Sequence, residues 1–158
     1  MTKNLIRGLL IASVIISFDQ LSKWVIVNHI MVSSAIIPIT NFFNLVLTFN
    51  RGVSFGLFAS TSTEGKWILI CLTSGLSCVL IWWLYTAKSN LSVFAFGMII
   101  GGAIGNIVDR VLIGAVVDFL DFYLYGYHWP SFNLADASIC LGATVLIFES
   151  LFTNDRLD

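Results

Sequence analysis

Charged residues are scarce in this sequence: 11% of its 158 residues are Asp, Glu, Lys or Arg, whereas 58% are hydrophobic. Soluble domains carry roughly 25% charged residues and about 45–50% apolar ones. The net charge is −1, so the chain lacks the basic surface that nucleic acid requires, and no nucleic-acid partner is expected. The composition excludes an ordinary soluble domain and indicates a protein whose solvent is lipid.

Histidine and cysteine are also scarce, which limits the possible chemistry. His29 and His128 are the only histidines and lie outside any known nucleophile motif, so a Ser or Cys nucleophile would lack its base. The three cysteines lie in apolar runs without metal-ligand spacing and are interpreted as small hydrophobic side chains. A metal site needs clustered His and carboxylates, so no metal and no cofactor are expected.

Long apolar runs predict an all-α polytopic membrane protein with four transmembrane helices. Crossing about 30 Å of hydrocarbon takes roughly 20 apolar residues, and a helix satisfies its own backbone hydrogen bonds in lipid. The first run resembles a signal peptide, but no A-x-A cleavage site follows it, so it is interpreted as an uncleaved span. The predicted spans are 5–27, 67–85, 91–112 and 134–152, within a single membrane domain of residues 1–158.

Lys and Arg residues in the connections and near the termini predict the orientation, because cytoplasmic segments carry an excess of them. Arg51 and Lys66 lie on one side of the predicted membrane. Four lie on the other side: Lys3, Arg7, Lys88 and Arg156. Both termini are therefore expected in the cytoplasm. The first outer connection (28–66) and the second outer connection (113–133) are then extracytoplasmic.

The first outer connection has a strand pattern. Leu45, Leu47 and Phe49 alternate with other residues, as on one face of a strand. An Arg-Gly turn follows, and then a second apolar stretch at 53–58. We predict a small β-hairpin or curled sheet on the outer membrane surface. The second outer connection is rich in aromatic residues, which is typical of a membrane interface.

Small residues recur along one face of the third span. Gly97, Gly101 and Gly105 are each four residues apart. Small side chains at this spacing let two helices approach closely in lipid. We predict that this face packs against another helix.

Polar residues concentrate at the outer ends of the spans and in the outer connections. A charge at the membrane centre costs at least about 2.5–3.5 kcal/mol and usually marks function. Asp121 is interpreted as a loop cap or solvated acid and is left outside the site. The other acids there are Asp19, Asp109, Asp118 and Asp136, accompanied by Lys23, Arg110, Asn50, Asn106 and Asn133.

Two pairs of these residues are spaced for contact along a helix. Asp19 and Lys23 are four apart with the acid first, the favourable order for a helical ion pair. Asn106 and Arg110 are also four apart and share one face of the third span. Asp109 is adjacent to Arg110 and can satisfy it or another donor.

Asp118 and Asp136 differ from the other acids because neither has a basic residue within four positions. They lie near the two ends of the second outer connection, both of which return to the membrane. If they meet, both cannot ionise at low dielectric, and one pKa rises. A shared proton of this kind is the basis of aspartic-protease chemistry.

Five motifs form an ordered set along the chain. They are Asp19-Gln-Leu-Ser-Lys23, Phe49-Asn-Arg-Gly-Val-Ser-Phe55, Gly101-Gly-Ala-Ile-Gly-Asn-Ile-Val-Asp-Arg110, Val117-Asp-Phe-Leu-Asp121 and Phe132-Asn-Leu-Ala-Asp136. Over nearly the whole chain, the set closely resembles the bacterial lipoprotein signal peptidase family, also called signal peptidase II. Ser54 is a small departure, because the family commonly has Ala there.

The resemblance implies an aspartyl endopeptidase of the bacterial inner membrane that uses no metal. Such an enzyme removes the signal peptide from a prolipoprotein, cutting N-terminal to a cysteine that carries diacylglyceryl. It implies a catalytic pair at Asp118 and Asp136, near the extracytoplasmic surface. Supporting residues would be Asp19, Lys23, Asn50, Asn106, Asp109, Arg110 and Asn133.

The same resemblance implies four spans with a small extracytoplasmic sheet and a short periplasmic helix. The expected partners are lipid-modified prolipoprotein and membrane phospholipid, and the expected oligomeric state is a monomer.

Two other classes of function remain open at this point. An ion or proton transporter can use intramembrane Asp, Arg and Asn as a relay, but its polar groups should be spread through the bilayer depth, whereas here they gather at one end. A non-catalytic adaptor that binds a partner helix through the glycine face would not require two unpaired aspartates. Transport is the alternative hypothesis.

Overall fold

The computed structural model describes residues 3–52 and 63–154. Its four long helices are α1 (Lys3–Val25), α2 (Thr63–Thr86), α3 (Asn90–Ile113) and α4 (Leu134–Asn154). A π-helical turn, Ile26–Ile30, extends α1. All four helices are long and apolar enough to cross a membrane. The prediction of four transmembrane helices is therefore confirmed, and each helix overlaps one of the predicted spans.

The third helix, α3, lies at the centre of the bundle. It packs against α1, α2 and α4. In its most apolar window 61% of the residues are buried, compared with 17% to 28% in the other three helices. Because of this central position, α3 contacts both of the other helices that carry predicted site residues, α1 and α4.

Glycines explain how closely the other helices approach α3. A Cβ atom at Gly97 would lie 2.7 Å from the carbonyl oxygen of Gly8, and one at Gly101 would lie 2.8 Å from that of Ala12. On the adjoining face, a Cβ at Gly102 would collide with the carbonyl oxygen of Ala135. The predicted packing face is confirmed, and it brings α1 and α4 against the same helix.

The ends of α3 follow from local sequence. The hydroxyl of Ser89 accepts hydrogen bonds from the Leu91 and Ser92 amides and caps the N-terminus. Gly114 ends the helix with φ +80°, a left-handed conformation that favours glycine. The chain then enters a strand within two residues, so the end of α3 positions that strand.

Four antiparallel strands form one small sheet at this end of the bundle. They are β1 (Ile36–Thr40), β2 (Phe43–Asn50), β3 (Val116–Leu124) and β4 (Tyr127–His128), in the order β1-β2-β3-β4. Leu45 and Leu47 of β2 pack with a cluster that includes Ile26 and Met31. The predicted strand is confirmed, and its apolar face packs against the π-helical turn that extends α1.

The sheet extends beyond the region predicted to form it. The sequence placed it within the first outer connection, but β3 belongs to the second, which was predicted only as an aromatic interfacial loop. The first six positions of β3 are buried except for half-buried Leu120, so its sequence lacks the alternation of a half-exposed strand. The hairpin partner predicted at 53–58 lies outside the described residues. The observed partners of β2 are β1 and β3.

Candidate active site

The nine predicted site residues lie in one hydrogen-bonded network where α1, α3 and α4 meet β2 and β3. The sequence separates its members by as many as 117 positions, yet each has a hydrogen bond to another member. The members are Asp19, Lys23, Asn50, Asn106, Asp109, Arg110, Asp118, Asn133 and Asp136. The polar residues therefore converge at one level of the fold, as their positions in the sequence predict.

Two amides connect the carboxylates of Asp118 and Asp136. Asn133 Nδ2 donates to Asp118 Oδ1 at 2.7 Å, and Asn106 Nδ2 donates to Asp136 Oδ1 at 2.8 Å. The two amides also meet each other, since Asn133 Nδ2 lies 3.3 Å from Asn106 Oδ1. Asn50 Nδ2 donates to the second oxygen of Asp118 at 3.1 Å. The pair is thus held through side chains from α3, from the residue that precedes α4 and from the end of β2.

Asn50 reaches Asp118 because β2 contains an irregularity. The register passes from Leu45 opposite Leu120 to Thr48 opposite Asp118, so β2 has one residue more than β3 in this interval. Such a bulge bends the strand and redirects the side chains that follow. The end of β2 is then turned toward the acid on β3.

Asp136 is fixed by the first turn of α4. Asn133 Oδ1 accepts from the Asp136 amide at 3.0 Å, and Asp136 Oδ2 lies 3.4 Å from the Asn133 amide. This reciprocal arrangement is a capping box, which satisfies backbone donors at a helix N-terminus. The helix dipole favours a negative charge there. The side chain of Asp136 is half-buried, so it can meet a substrate or a water molecule.

Asp118 has the more strongly perturbed environment of the two. It is only 2% exposed. Its burial, together with the charge of Asp136, raises its pKa from 3.8 to about 6, although the hydrogen bonds from Asn50 and Asn133 act in the opposite direction. A buried acid beside a second carboxylate holds its proton more tightly than an exposed one.

Lys23 is the central cation of the network. Its ammonium lies 2.8 Å from Asp19 Oδ2, which confirms the predicted ion pair. It also lies 2.8 Å from Asp109 Oδ2 and donates to Asn106 Oδ1 at 3.1 Å. Asp109 therefore satisfies Lys23 rather than its neighbour Arg110. A buried charge of this kind is tolerated only because it is paired and hydrogen-bonded.

Arg110 fastens the end of the β2 segment to α3. Its Nη2 donates to the carbonyl oxygen of Gly52 at 2.7 Å, and the Gly52 amide donates to Asn50 Oδ1 at 2.9 Å. Its positive charge also acts on the three nearby carboxylates of Asp109, Asp118 and Asp136. Arg110 thus holds Asn50 over the site and offsets part of the negative charge.

Asp121 is neither a loop cap nor a solvated acid, and that prediction is wrong. It is 6% exposed and accepts from Asn44 Nδ2 at 2.8 Å, and His128 Nδ1 lies 2.9 Å away. These partners come from β2 and β4, and cross-strand pairing of Asn44 with Asp121 brings them together. Within residues 3–52 and 63–154, no hydrogen bond joins Asp121 to the nine site residues.

The sequence analysis also missed Gln20 and two backbone amides. Gln20 Nε2 donates to Asp109 Oδ1 at 2.8 Å, and the amides of Ala135 and Val117 donate to Asp19 and Asp109. Gln20 lies inside the first motif, but an uncharged side chain in an apolar helix gives little signal. Only the fold reveals a backbone donor.

The arrangement suits acid–base chemistry by two carboxylates in different environments. Asp118 is buried and its pKa is raised, whereas Asp136 is partly accessible at a helix N-terminus. Among the described residues, no three His, Cys, Asp or Glu side chains are grouped to hold a metal ion. Environments that differ in this way assign acid and base roles to paired carboxylates.

Comparisons with known proteins identify the chain's relatives. Residues 11–152 match the family described as signal peptidase (SPase) II. The chain is 40% identical to the lipoprotein signal peptidase of Polynucleobacter necessarius over 94% of this chain and 91% of the relative. It is 44% identical to that of Ralstonia nicotianae over 86% and 79%, respectively.

Two solved structures share the fold. One is a bacterial membrane enzyme determined by the in meso method at 2.3 Å resolution, with TM-score 0.84 and 27% identity over 96% of this chain and 91% of that one. The other, determined by the same method at 1.9 Å resolution, has TM-score 0.79 and 29% identity over 91% and 92%. None of these comparisons favours a transporter.

Proposed function

This chain belongs to the signal peptidase II family, and from that premise we propose that it removes signal peptides from lipoproteins as an aspartyl endopeptidase. It is a multi-pass membrane protein with four spanning helices. The observation that carries the aspartyl assignment is the bridged pair, in which amides connect the carboxylates of Asp118 and Asp136.

We assign the resting proton of the pair to Asp118 and the role of base to Asp136. Burial raises the pKa of Asp118 to about 6, which favours its protonated form. Asp136 accepts hydrogen bonds at the N-terminus of α4, where negative charge is stabilised. The titration as a whole belongs to the pair, since the two groups interact.

Peptide hydrolysis then proceeds in two steps. Asp136 takes a proton from water as the water oxygen attacks the scissile carbonyl carbon, and Asp118 gives its proton to the carbonyl oxygen. In the second step the carbon–nitrogen bond breaks, and the leaving amine takes a proton from Asp136. Asp118 recovers a proton from the intermediate as the carbonyl forms again.

The substrate in this proposal is a prolipoprotein whose cysteine carries diacylglyceryl, cut on the N-terminal side of that cysteine. The names of the relatives support a lipoprotein substrate. Contacts with the lipid, remote from the reacting bond, would hold the peptide at the interfacial site. The enzyme is placed in the bacterial inner membrane with the site toward the extracytoplasmic surface.

Incubation of the purified protein with a diacylglyceryl-modified prolipoprotein tests this function. Mass spectrometry should find the free signal peptide and a product that begins at the lipidated cysteine. The same precursor without lipid is the control and should remain intact. Equal cleavage of both precursors would contradict the substrate assignment, and no cleavage of either would contradict the function.

A further inference from the structure

Each member of the carboxylate pair is preceded by a residue whose backbone amide binds another aspartate. The Ala135 amide, just before Asp136, donates to Asp19 Oδ1 at 3.0 Å. The Val117 amide, just before Asp118, donates to Asp109 Oδ2 at 3.1 Å. Asp19 and Asp109 thus hold the main chain beside the two reacting groups.

These two holding aspartates are themselves tied together by two side chains of α1. Lys23 Nζ lies 2.8 Å from Asp19 Oδ2 and 2.8 Å from Asp109 Oδ2. Gln20 Nε2 lies 2.8 Å from Asp109 Oδ1 and 3.2 Å from Asp19 Oδ2, and it also reaches the carbonyl oxygen of Gly105 at 3.2 Å. Gln20 and Lys23 are three apart, so both project from one face of α1 toward α3.

The side-chain amide of Gln20 gives Asp19 and Asp109 hydrogen bonds in addition to those from the single ammonium of Lys23. Asp19 and Asp109 are both buried, and two such carboxylates repel each other more strongly than in water. Lys23 provides one positive charge for the two. The neutral donors of Gln20 add further bonds to both carboxylates without adding a charge. Removing them would let Asp19 and Asp109 separate, and the amides of Ala135 and Val117 would follow.

We propose that Gln20 is a positioning residue for the hydrolysis, which fixes the separation of Asp118 and Asp136 through Asp19, Asp109 and the two backbone amides. This rests on the proposed function. Among the described residues, Gln20 has no hydrogen bond to either reacting carboxylate, so it acts only through this chain of bonds. A misplacement of about 1 Å at reacting groups can cost about 100-fold in rate.

The variant Gln20→Met tests the proposal, because methionine has a similar length and no donor. The turnover number kcat for lipidated precursor should fall roughly 10- to 100-fold, with KM unchanged within about twofold, since no substrate contact is removed. The dependence of kcat on pH, which should be bell-shaped for a pair of carboxylates, should also become narrower. A larger separation weakens the repulsion that spreads the two titrations of the pair.

Ser22→Ala is the matched control. It removes a hydrogen bond of 2.8 Å from the Ser22 hydroxyl to the backbone oxygen of Asp19, on the same turn of α1, and leaves the carboxylates tied. Its kcat and pH profile should equal those of the wild type. If Gln20→Met does not fold, Gln20→Asn replaces it, because its shorter amide cannot span both carboxylates. The same fall and narrowing are expected.

The outcomes separate this proposal from the proposed function. If the wild type cleaves the precursor and Gln20→Met has the same kcat and the same pH profile of kcat, only the positioning role is overturned. A loss of activity that only matches a loss of folded protein, with the profile unchanged in shape, reduces Gln20 to a structural residue and also overturns it. A raised KM at constant kcat would make Gln20 a substrate contact instead. Failure of the wild type to cleave rejects the proposed function itself.

Discussion

In the proposed mechanism, the side chains at this site divide into those that react and those that hold the reacting groups in place. Among the described residues, Asp118 and Asp136 accept hydrogen bonds only from amides, whereas Asp19 and Asp109 are bound to a lysine and to backbone amides. Removing a reacting carboxylate therefore leaves the scaffold intact, but removing a holding carboxylate leaves Lys23 short of a partner.

The variants Asp118→Asn and Asp136→Asn should each abolish cleavage, because an amide can neither accept a proton from water nor share one across the pair. The double variant should be no less active than either single one, since residues that act as a unit are non-additive. At neutral pH none of the three should melt below the wild type, because relief of repulsion offsets a lost hydrogen bond of about 1 kcal/mol.

Cleavage assays and thermal melts in detergent check this prediction. Asp121→Asn is the control, because it changes a buried acid of β3 that lies outside the network, and it should retain activity in the folded fraction. Retention of more than a few per cent of activity by either single variant of the pair would show that the assignment is wrong.

The raised pKa of Asp118 predicts how stability changes with pH. Its value of about 6 in the folded protein exceeds the ordinary 3.8, so the folded state holds the proton more tightly than the unfolded state. The free energy of unfolding should therefore fall as the pH rises from about 4 to about 6. The rise in pKa corresponds to at most about 3 kcal/mol.

Melting temperatures of the wild type and Asp118→Asn across this pH range isolate the contribution of the group, because the other titrating residues are common to both proteins. Relative to the variant, the melting temperature of the wild type should fall between about pH 4 and 6. Above that range the difference between the two melting temperatures should stay constant. Parallel curves would show that Asp118 ionises normally in the folded state.

At the residue scale, charge was the main guide in the sequence. An aspartate stands out in a chain that is 58% hydrophobic, so the carboxylates, Lys23 and Arg110 could be found without a structure. Gln20 could not, because its role depends on a carboxylate 89 positions away. Asp121 was misjudged for the same reason, since its partner Asn44 lies 77 positions away.

At the scale of elements, the packing of α1 on α3 determines where Asp19 can lie. A Cβ atom at Gly105 would lie 2.6 Å from Asp19 Oδ2. The glycine face thus has two uses: Gly97 and Gly101 admit the backbone of α1, and Gly105 admits a carboxylate. The spacing of the three glycines indicated the packing but not this difference between them.

The variant Gly105→Ala should displace the Asp19 carboxylate and weaken its bonds to Lys23 and the Ala135 amide. Overpacking of this kind typically destabilises a protein by about 1–3 kcal/mol, and kcat should fall at least tenfold. Gly75→Ala is the matched control, since a Cβ atom there has no neighbour within 4 Å. Melting temperature and kcat measure both effects. Equal behaviour of the two variants would contradict this account of Gly105.

The strands show where sequence patterns reach their limit. The alternation of Leu45 and Leu47 identified β2, because one of its faces packs on the cluster with Ile26 and Met31 and the other carries Asn44. No alternation marks β3, since both of its faces are covered over most of its length. Its place beside β2 depends on contacts between the two outer connections, which no local pattern encodes.

At the scale of the whole molecule, the orientation in the membrane is still a prediction. A reporter fused after Thr86, between α2 and α3, should behave as cytoplasmic, because Lys3, Arg7 and Lys88 favour that side. A reporter inserted after Gly126, in the exposed turn between β3 and β4, should behave as extracytoplasmic. Alkaline phosphatase and green fluorescent protein report the two sides. The opposite result at Thr86 would place the site on the cytoplasmic face.

The short junction between α3 and β3 fixes the position of Asp118 relative to the end of α3. Only Gly114 and Ala115 separate the 24-residue helix from the strand that carries Asp118. At about 1.5 Å per residue, α3 is about 36 Å long. Its length therefore sets the height of Asp118 above the opposite membrane face. Under the proposed function, a peptide would therefore be cut at a fixed depth in the membrane, and the lipid on its cysteine would set the depth of the scissile bond.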